Sequence, residues 1–522
     1  MKISNGADEA ENSTPLLPEK RKQIMKFPDA CEEPILQHDH LVGVTNESFT
    51  PEFISGLATA FGTVLKETDI VLVGCDLRYD SQMLKRCFTA SIISTGVSVF
   101  DLSIISGTVL QFLIRRFGAS AGVLFSASHS RPKSIEIRIF NELGIEVSKT
   151  TLQNILACSS SSVETTIRRT KPEKIGRVFN PSNVEEIYRT ALTRVIDTQI
   201  ISKMRLTVTV DCSFSAISQI VPSLLVDMNF NVVSLNSFHP VHLPEVLPNN
   251  QSLMVLAKSL SAIGGDLGMV FDQQGSHVHF IGNRGTFIEP SEVAMLLALN
   301  RIQHAEKGKS VIVISEYLGE AIRKTLEDAG ATVETVDITA NSLPQAIKHH
   351  RGIFGAADDG SYYYPAFSSG RECILASFYL LSILAQEDQL LTQLVHPYAH
   401  QRTETIQKLS NLQQLMSRLG TLRSSIFKII DTIIGYKFIF PDRGWVHLRP
   451  TQFPDVYRLL GQGGETSTEQ ELFKRVRNTL KEIQEQINLE KQAEELTDQH
   501  PKFKSSTWES KRRSHTPQHQ MN

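Results

Sequence analysis

The chain has no CxxC pair in its 522 residues; its six cysteines, Cys31, Cys75, Cys87, Cys158, Cys212 and Cys373, are widely scattered. Such sparse thiols argue against both a disulfide scaffold and a cysteine zinc site, so they are expected to be reduced and mostly buried. Long apolar runs are missing too. None approaches the ~20 residues that a membrane-spanning helix needs. The N-terminal MKISNGADEAENSTPLLPEK has no apolar core of the signal-peptide kind. No membrane partner is therefore expected, and the cytoplasm is the expected compartment. Nor is there an excess of charge. A formal net charge of −3 gives no basic field of the kind that nucleic-acid binding uses. What is present, 41% apolar and 21% charged residues, is the composition of a soluble globular protein. At about 150 residues per domain, the length suggests three or four domains.

Residues 1 to about 40 lack periodicity and read as a loose tail. Order begins with Thr50-Pro51, an N-cap followed by proline at the first helical position, opening a helix to Leu65. The stretch from Asp69 to Gly74 reads as a buried strand, followed by a helix from about Gln82 to Thr95 and a strand from Val97 to Leu102. This β-α-β alternation predicts a parallel, doubly wound layer. The alternation restarts twice. Helix Val184 to Ile196 leads to strand Leu206 to Asp211, a helix around Ile217 to Asp227, strand Asn231 to Leu235 and the stretch Gly264 to Asp272. Helix Pro290 to Ala305 leads to strand Ser310 to Ile314, helix Leu318 to Ala329 and strand Thr332 to Val336. A last helix is expected from about Glu469 to Leu496.

The chain is organised around Gly122 to Pro132, GVLFSASHSRP, continuing into Ile135-Glu-Ile-Arg-Ile-Phe140. The apolar run Ala121 to Phe125 reads as a strand whose C-terminal end carries Ser126, Ser128 and His129, where open α/β sheets bind ligands. Ser128 is thus a candidate nucleophile or phosphate carrier. These residues alone read first as an ordinary Ser/His/Pro turn.

The stretch resembles the active-site loop TASHNPxxxNGxK of the α-D-phosphohexomutase family (phosphomannomutase/phosphoglucomutase), with Ser126 to His129 on TASH. The family's lysine, a proposed proton-transfer residue, is here Arg138, and arginine stays protonated and cannot act as a general base. Gly74, Asp76, Arg78 and Ser81 match the family's GxDxR-xS element. The family's entry loop is not recognisable around Val42 to Val44. Gly264 to Asp272 resembles GaDlGiafDGDaDR, whose three carboxylates hold Mg²⁺; here they read Asp272, Gln274 and Ser276, with His277 in place of the arginine. Ligand charge falls from −3 to −1, which suits a hard cation poorly. A second reading has Asp272, His277 and His279 favouring a softer ion if the strand continues, and a third has both histidines merely facing solvent. Gly355 to Ser361 falls on the sugar loop GGExSGH, leaving Asp358, Asp359 and Gly360 as the candidates for sugar contacts. In the last unit, Trp445 to Arg458 resembles WVHxRPSNTEPxxR. Arg449, Thr451 and Arg458 remain as candidate phosphate ligands, while Phe453 and the N–H-less Pro454 spoil the cradle.

The resemblance implies a four-domain α/β architecture: three mixed or parallel α/β domains (41–180, 181–284 and 285–395) and a smaller α+β domain (396–498), flanked by tails 1–40 and 499–522. Ser128, His129 and Arg138 fall at the catalytic positions. Two functions remain open. One is a pseudoenzyme that binds a sugar phosphate or a protein partner and needs no metal. The other is a working mutase that uses Mg²⁺ and a phosphoserine to move a phosphoryl group between C1 and C6 of a hexose phosphate.

Overall fold

The computed structural model describes residues 35–36, 40–128, 133–159, 167–238, 247–306, 308, 310–336, 342–395, 402–407, 418, 427–432, 435–442, 444–450, 456–463 and 466–499. In its first sheet, side-chain alternation decides which way each strand faces. Val71, Val73, Val123 and Phe125 enter a core with Ile54, Leu57, Phe61, Leu84 and Phe88. Their neighbours Leu72 and Leu124 enter the opposite core with Val109, Leu110 and Leu113. Strands buried on both faces in this way need helices on both sides. Helices Pro51–Val64 and Tyr79–Ile93 supply one side, and helix Gly107–Phe117 the other. Thr50 caps the first of these, its hydroxyl accepting from Phe53 N at 3.2 Å, as Thr-Pro predicts.

This sheet has seven strands, in the order Ile35–Leu36, His40–Gly43, Ile135–Asn141, Ala121–Ala127, Ile70–Cys75, Ser98–Ile104 and Val178–Phe179. It is mixed: the last four run parallel, whereas Ile135–Asn141 returns antiparallel beside Ala121–Ala127. The departure from a wholly parallel layer has a local cause, since the short 128–134 connection leaves no room for a crossover helix.

The second sheet orders Thr286–Phe287, Val278–Gly282, Leu267–Phe271, Thr207–Asp211 and Asn231–Leu235. The third orders Thr332–Val336, Val311–Ser315, Phe354–Ala356 and Tyr362–Tyr363. Each is parallel within and gains antiparallel strands at one edge. Helices Asn250–Ala262 and Ser342–His350 were not expected from the sequence. The first three layers share one apolar core that includes Leu110, Val210, Leu297 and Phe378.

The fourth sheet, Arg402–Gln407, Val456–Gln462, Trp445–Pro450, Gly435–Ile439 and Lys428–Thr432, is wholly antiparallel. Helix Glu469–Gln499 covers it with Phe473, Val476, Leu480, Ile483 and Ile487, whose 3-4-3-4 spacing is that of one apolar helix face. Among the described residues, no helix is long and apolar enough to cross a membrane.

Candidate functional site

Three loops leave the C-terminal ends of strands Ala121–Ala127, Leu267–Phe271 and Phe354–Ala356, and the second of them contacts both the first layer and the third. The loop after Phe271 docks on the first layer. Thr108 N donates to Gln274 O at 3.3 Å, and the Thr108 hydroxyl donates to Gly275 O. Gln274 Nε2 donates to Ser126 Oγ at 3.1 Å and also to the Glu136 carboxylate. On its other side the loop meets the third layer, where Val278 N donates to Gly360 O at 3.0 Å and the Cys373 thiol to Ser276 O at 2.8 Å. The metal-type loop thus lies between the C-terminal end of strand Ala121–Ala127 and the sugar-type loop, at the strand ends where open α/β sheets bind ligands.

Ser128 ends the first of these strands with its backbone N–H donating to Ser134 O at 2.9 Å, and the residue is fully buried. His129 lies outside the described residues. The strand end is pinned by Asp76, which accepts from Ala127 N at 2.6 Å and from Arg78 N at 3.0 Å. Burial raises the Asp76 pKa, and its hydrogen bonds from Ser81, Ala127 and Arg78 oppose the rise. The Gly74, Asp76, Arg78, Ser81 element is therefore scaffolding for the serine loop.

Arg138, expected at a catalytic position, is buried between carboxylates. Its Nε donates to Glu136 Oε1 at 2.8 Å and its Nη1 to Glu146, which also holds Arg371 at 3.2 Å. A guanidinium committed to two acids has little left for a phosphate. Glu146 lies in no motif, and Arg371 carries no chemistry that its sequence context would single out.

The metal-type positions do not converge on a common point. The chain turns at 272–277 before strand Val278–Gly282, so the continued strand needed to align His277 with His279 is not formed. Gln274 faces the first layer. Ser276 closes back on Asp272, its Oγ donating to Oδ2 at 2.6 Å and its N–H to Oδ1 at 2.7 Å. His277 Nδ1 lies 2.8 Å from the same Asp272 Oδ2, and its Nε2 lies 3.4 Å from Asp359 Oδ2. Burial alone would lower the His277 pKa, but Asp359 and Asp272 on either side carry it up to about 9. The same cation outweighs burial at both acids and holds them below the usual carboxylate range. His277 thus faces two carboxylates rather than solvent, and in its protonated form it donates from both ring nitrogens. Among the described residues, no group of three or more His, Cys, Asp or Glu side chains is placed to hold a metal ion. The donor set does not fit Mg²⁺: its one carboxylate is already saturated and faces a fixed positive charge.

The sugar-type loop is similarly occupied. Asp359 Oδ1 accepts from both the N–H and the hydroxyl of Ser361, at 2.9 and 2.7 Å. Asp358 pairs with Lys437 of the fourth sheet at 2.8 Å, and that ammonium also sits 4.4 Å from the Trp445 ring centroid. Gly360 turns the loop at φ +89°, where a Cβ would lie 2.7 Å from Val278 O and 3.2 Å from His279 Cε1. Gly360→Ala is expected to cost about 1–3 kcal/mol from the backbone conformation alone, read as a lowered melting temperature. Arg449 and Arg458 are directly paired on neighbouring antiparallel strands, but their side chains, and Thr451 altogether, lie outside the description.

A pH dependence follows from the bridge. The folded protein holds the His277 proton more tightly than the unfolded chain, so this stabilisation is full below about 6.5 and lost as pH rises through about 9. Asp272 and Asp359, with lowered folded values, contribute above the ordinary aspartate value of 3.8 and lose that contribution in acid. His277→Gln is expected to flatten the alkaline limb of melting temperature against pH. An unchanged limb would remove the bridge from the account.

Residues 36–165 match the model for phosphoglucomutase/phosphomannomutase, alpha/beta/alpha domain I. A phosphoglucomutase/phosphomannomutase of Thermococcus kodakarensis is 26% identical over 430 residues, 80% of this chain and 92% of that one. Two solved structures share the fold. A phosphoglucomutase/phosphomannomutase family protein of Burkholderia thailandensis matches with a TM-score of 0.65 at 16% identity, over 86% of this chain and 96% of that one. The open form of Paramecium pp63/parafusin, a phosphoglucomutase, matches with a TM-score of 0.63 at 13% identity, over 87% and 96%. Residues 36–165 thus carry the phosphoglucomutase/phosphomannomutase domain I, and the chain as a whole is similar in sequence and in fold to α-D-phosphohexomutases.

Proposed function

We propose that this chain is a phosphohexomutase-fold pseudoenzyme, which binds a sugar phosphate or a protein partner without converting a hexose phosphate. The observation that supports it most is the His277 imidazolium bridging Asp272 and Asp359. It engages the remaining metal-type carboxylate and a sugar-type carboxylate together, using groups of the chain itself. Phosphoryl transfer depends on positioning and on electrostatic stabilisation of the moving group. Here Arg138 and Asp358 are also held in ion pairs, with Glu136 and Glu146 and with Lys437 respectively, and Ser128 is buried. Losing several such groups together costs many orders of magnitude in rate.

The competing reading is a working mutase in which Ser128 carries the phosphoryl group. The retained Ser126-Ala-Ser-His129 sequence favours it, as do relatives named as mutases. A coupled assay of mannose 1-phosphate to mannose 6-phosphate conversion, repeated with glucose 1-phosphate, separates the two. Background rates are expected, and brisk turnover of either sugar would make the mutase reading the better one.

A further inference from the structure

A cavity of about 460 Å³ lies between the first and third layers. Its lining includes Gly352 and Ile353, which precede strand Phe354–Ala356, and Leu143 and Ile145, which follow strand Ile135–Asn141. Asn141 pairs with Ala121, the first residue of the strand leading to Ser128. The cavity therefore opens at the opposite end of the sheets from the candidate site.

Arg115, Arg301, Lys348 and Arg351 line it, and no Asp or Glu does. None of the four is in an ion pair among the described residues. Arg115 reaches only the Ser369 hydroxyl, at 3.3 Å, and Arg301 Nε is buried without a hydrogen-bond partner, its guanidinium 5.6 Å from the Tyr379 ring centroid. Helix dipoles account for part of this charge. Arg115, Arg301 and Lys348 each sit in the last turn of a helix, Gly107–Phe117, Pro290–Gln303 and Ser342–His350. Three helix C-termini supply about half a negative charge each, which leaves roughly 2.5 positive charges facing the cavity. Arg351 adopts a left-handed φ of 54° directly before Gly352, a position where an unbranched glycine is the unstrained choice. An arginine kept there places a guanidinium at the rim at the cost of backbone strain.

We infer that this cavity is an anion site that takes the phosphate group of a small phosphorylated compound, distinct from the candidate site and independent of whether that site turns over. Its volume suits a small molecule, and a bound dianion would tie helix Gly107–Phe117 to helix Pro290–Gln303 across the two layers.

Calorimetric titration of the full chain with glucose 6-phosphate, inorganic phosphate and glucose tests this, alongside the double variant Lys348→Gln, Arg351→Gly. Glycine removes the strain at 351, so the variant is expected to fold, which its melting curve checks directly. Both phosphate probes are expected to bind the native chain and glucose is not. Their affinity should fall at least tenfold in the variant and weaken with salt. Tighter binding of the ester than of inorganic phosphate would identify a sugar phosphate as the natural source; equal binding would identify free phosphate. Absence of phosphate binding by the native chain, or unchanged affinity in the folded variant, would overturn the assignment.

Discussion

Magnesium titrated into the protein at millimolar concentration is expected to give no saturable heat. Gln274 and Ser276 stand where two carboxylates of the family's metal loop fall, and each lost charge is worth about 4 kcal/mol at 4 Å and an effective dielectric of 20. Even if half of that survives desolvation, affinity falls roughly a thousandfold at 1.4 kcal/mol per tenfold. The geometry lowers it further. Asp272 already accepts from Ser276 and His277, and the imidazolium would repel any cation placed beside it. Restoring the carboxylates with Gln274→Asp and Ser276→Asp is expected to raise magnesium affinity and leave turnover at background. Arg138, Asp358 and Asp359 stay in their ion pairs in that variant. Tight magnesium binding by the native chain would contradict this.

Arg138→Met is expected to destabilise the first layer by about 3–5 kcal/mol, since it removes the buried guanidinium that two buried carboxylates share. The Glu136 side chain is 0% exposed and that of Glu146 4%. Arg138→Lys keeps the charge but cannot donate to both acids from a forked plane, so an intermediate loss is expected. It should add no turnover, although lysine is the family's residue at this position. Urea denaturation measures both, and the double variant Glu136→Gln, Arg138→Met should recover part of the loss if the pair is coupled. A change below about 1 kcal/mol in Arg138→Met, the range of an exposed pair, would mean that Arg138 is not the centre of a buried network.

Strands were the most legible elements because their apolar runs are short, continuous and bounded by polar residues. Asn231–Leu235 and Thr332–Val336 fall where the sequence put them. Helix Asn250–Ala262 was not expected, although its capping box, Asn249 with Ser252, is a readable signal. At the site, the sequence showed which charges were lost but not what the remaining ones do. His277 finds Asp359, and Asp358 finds Lys437, across layers far apart in the chain. No local spacing records such contacts. Arg138 was placed at a catalytic position by its alignment, because an acid that occupies it, Glu146, lies outside every motif.

The central claim is that the retained serine no longer receives a phosphoryl group. Intact-protein mass after incubation with glucose 1,6-bisphosphate and Mg²⁺ tests it most directly. The account predicts an unshifted mass, both for the native chain and for Ser128→Ala. A gain of one phosphoryl group in the native chain that is absent from Ser128→Ala would contradict it and establish Ser128 as a working phosphate carrier.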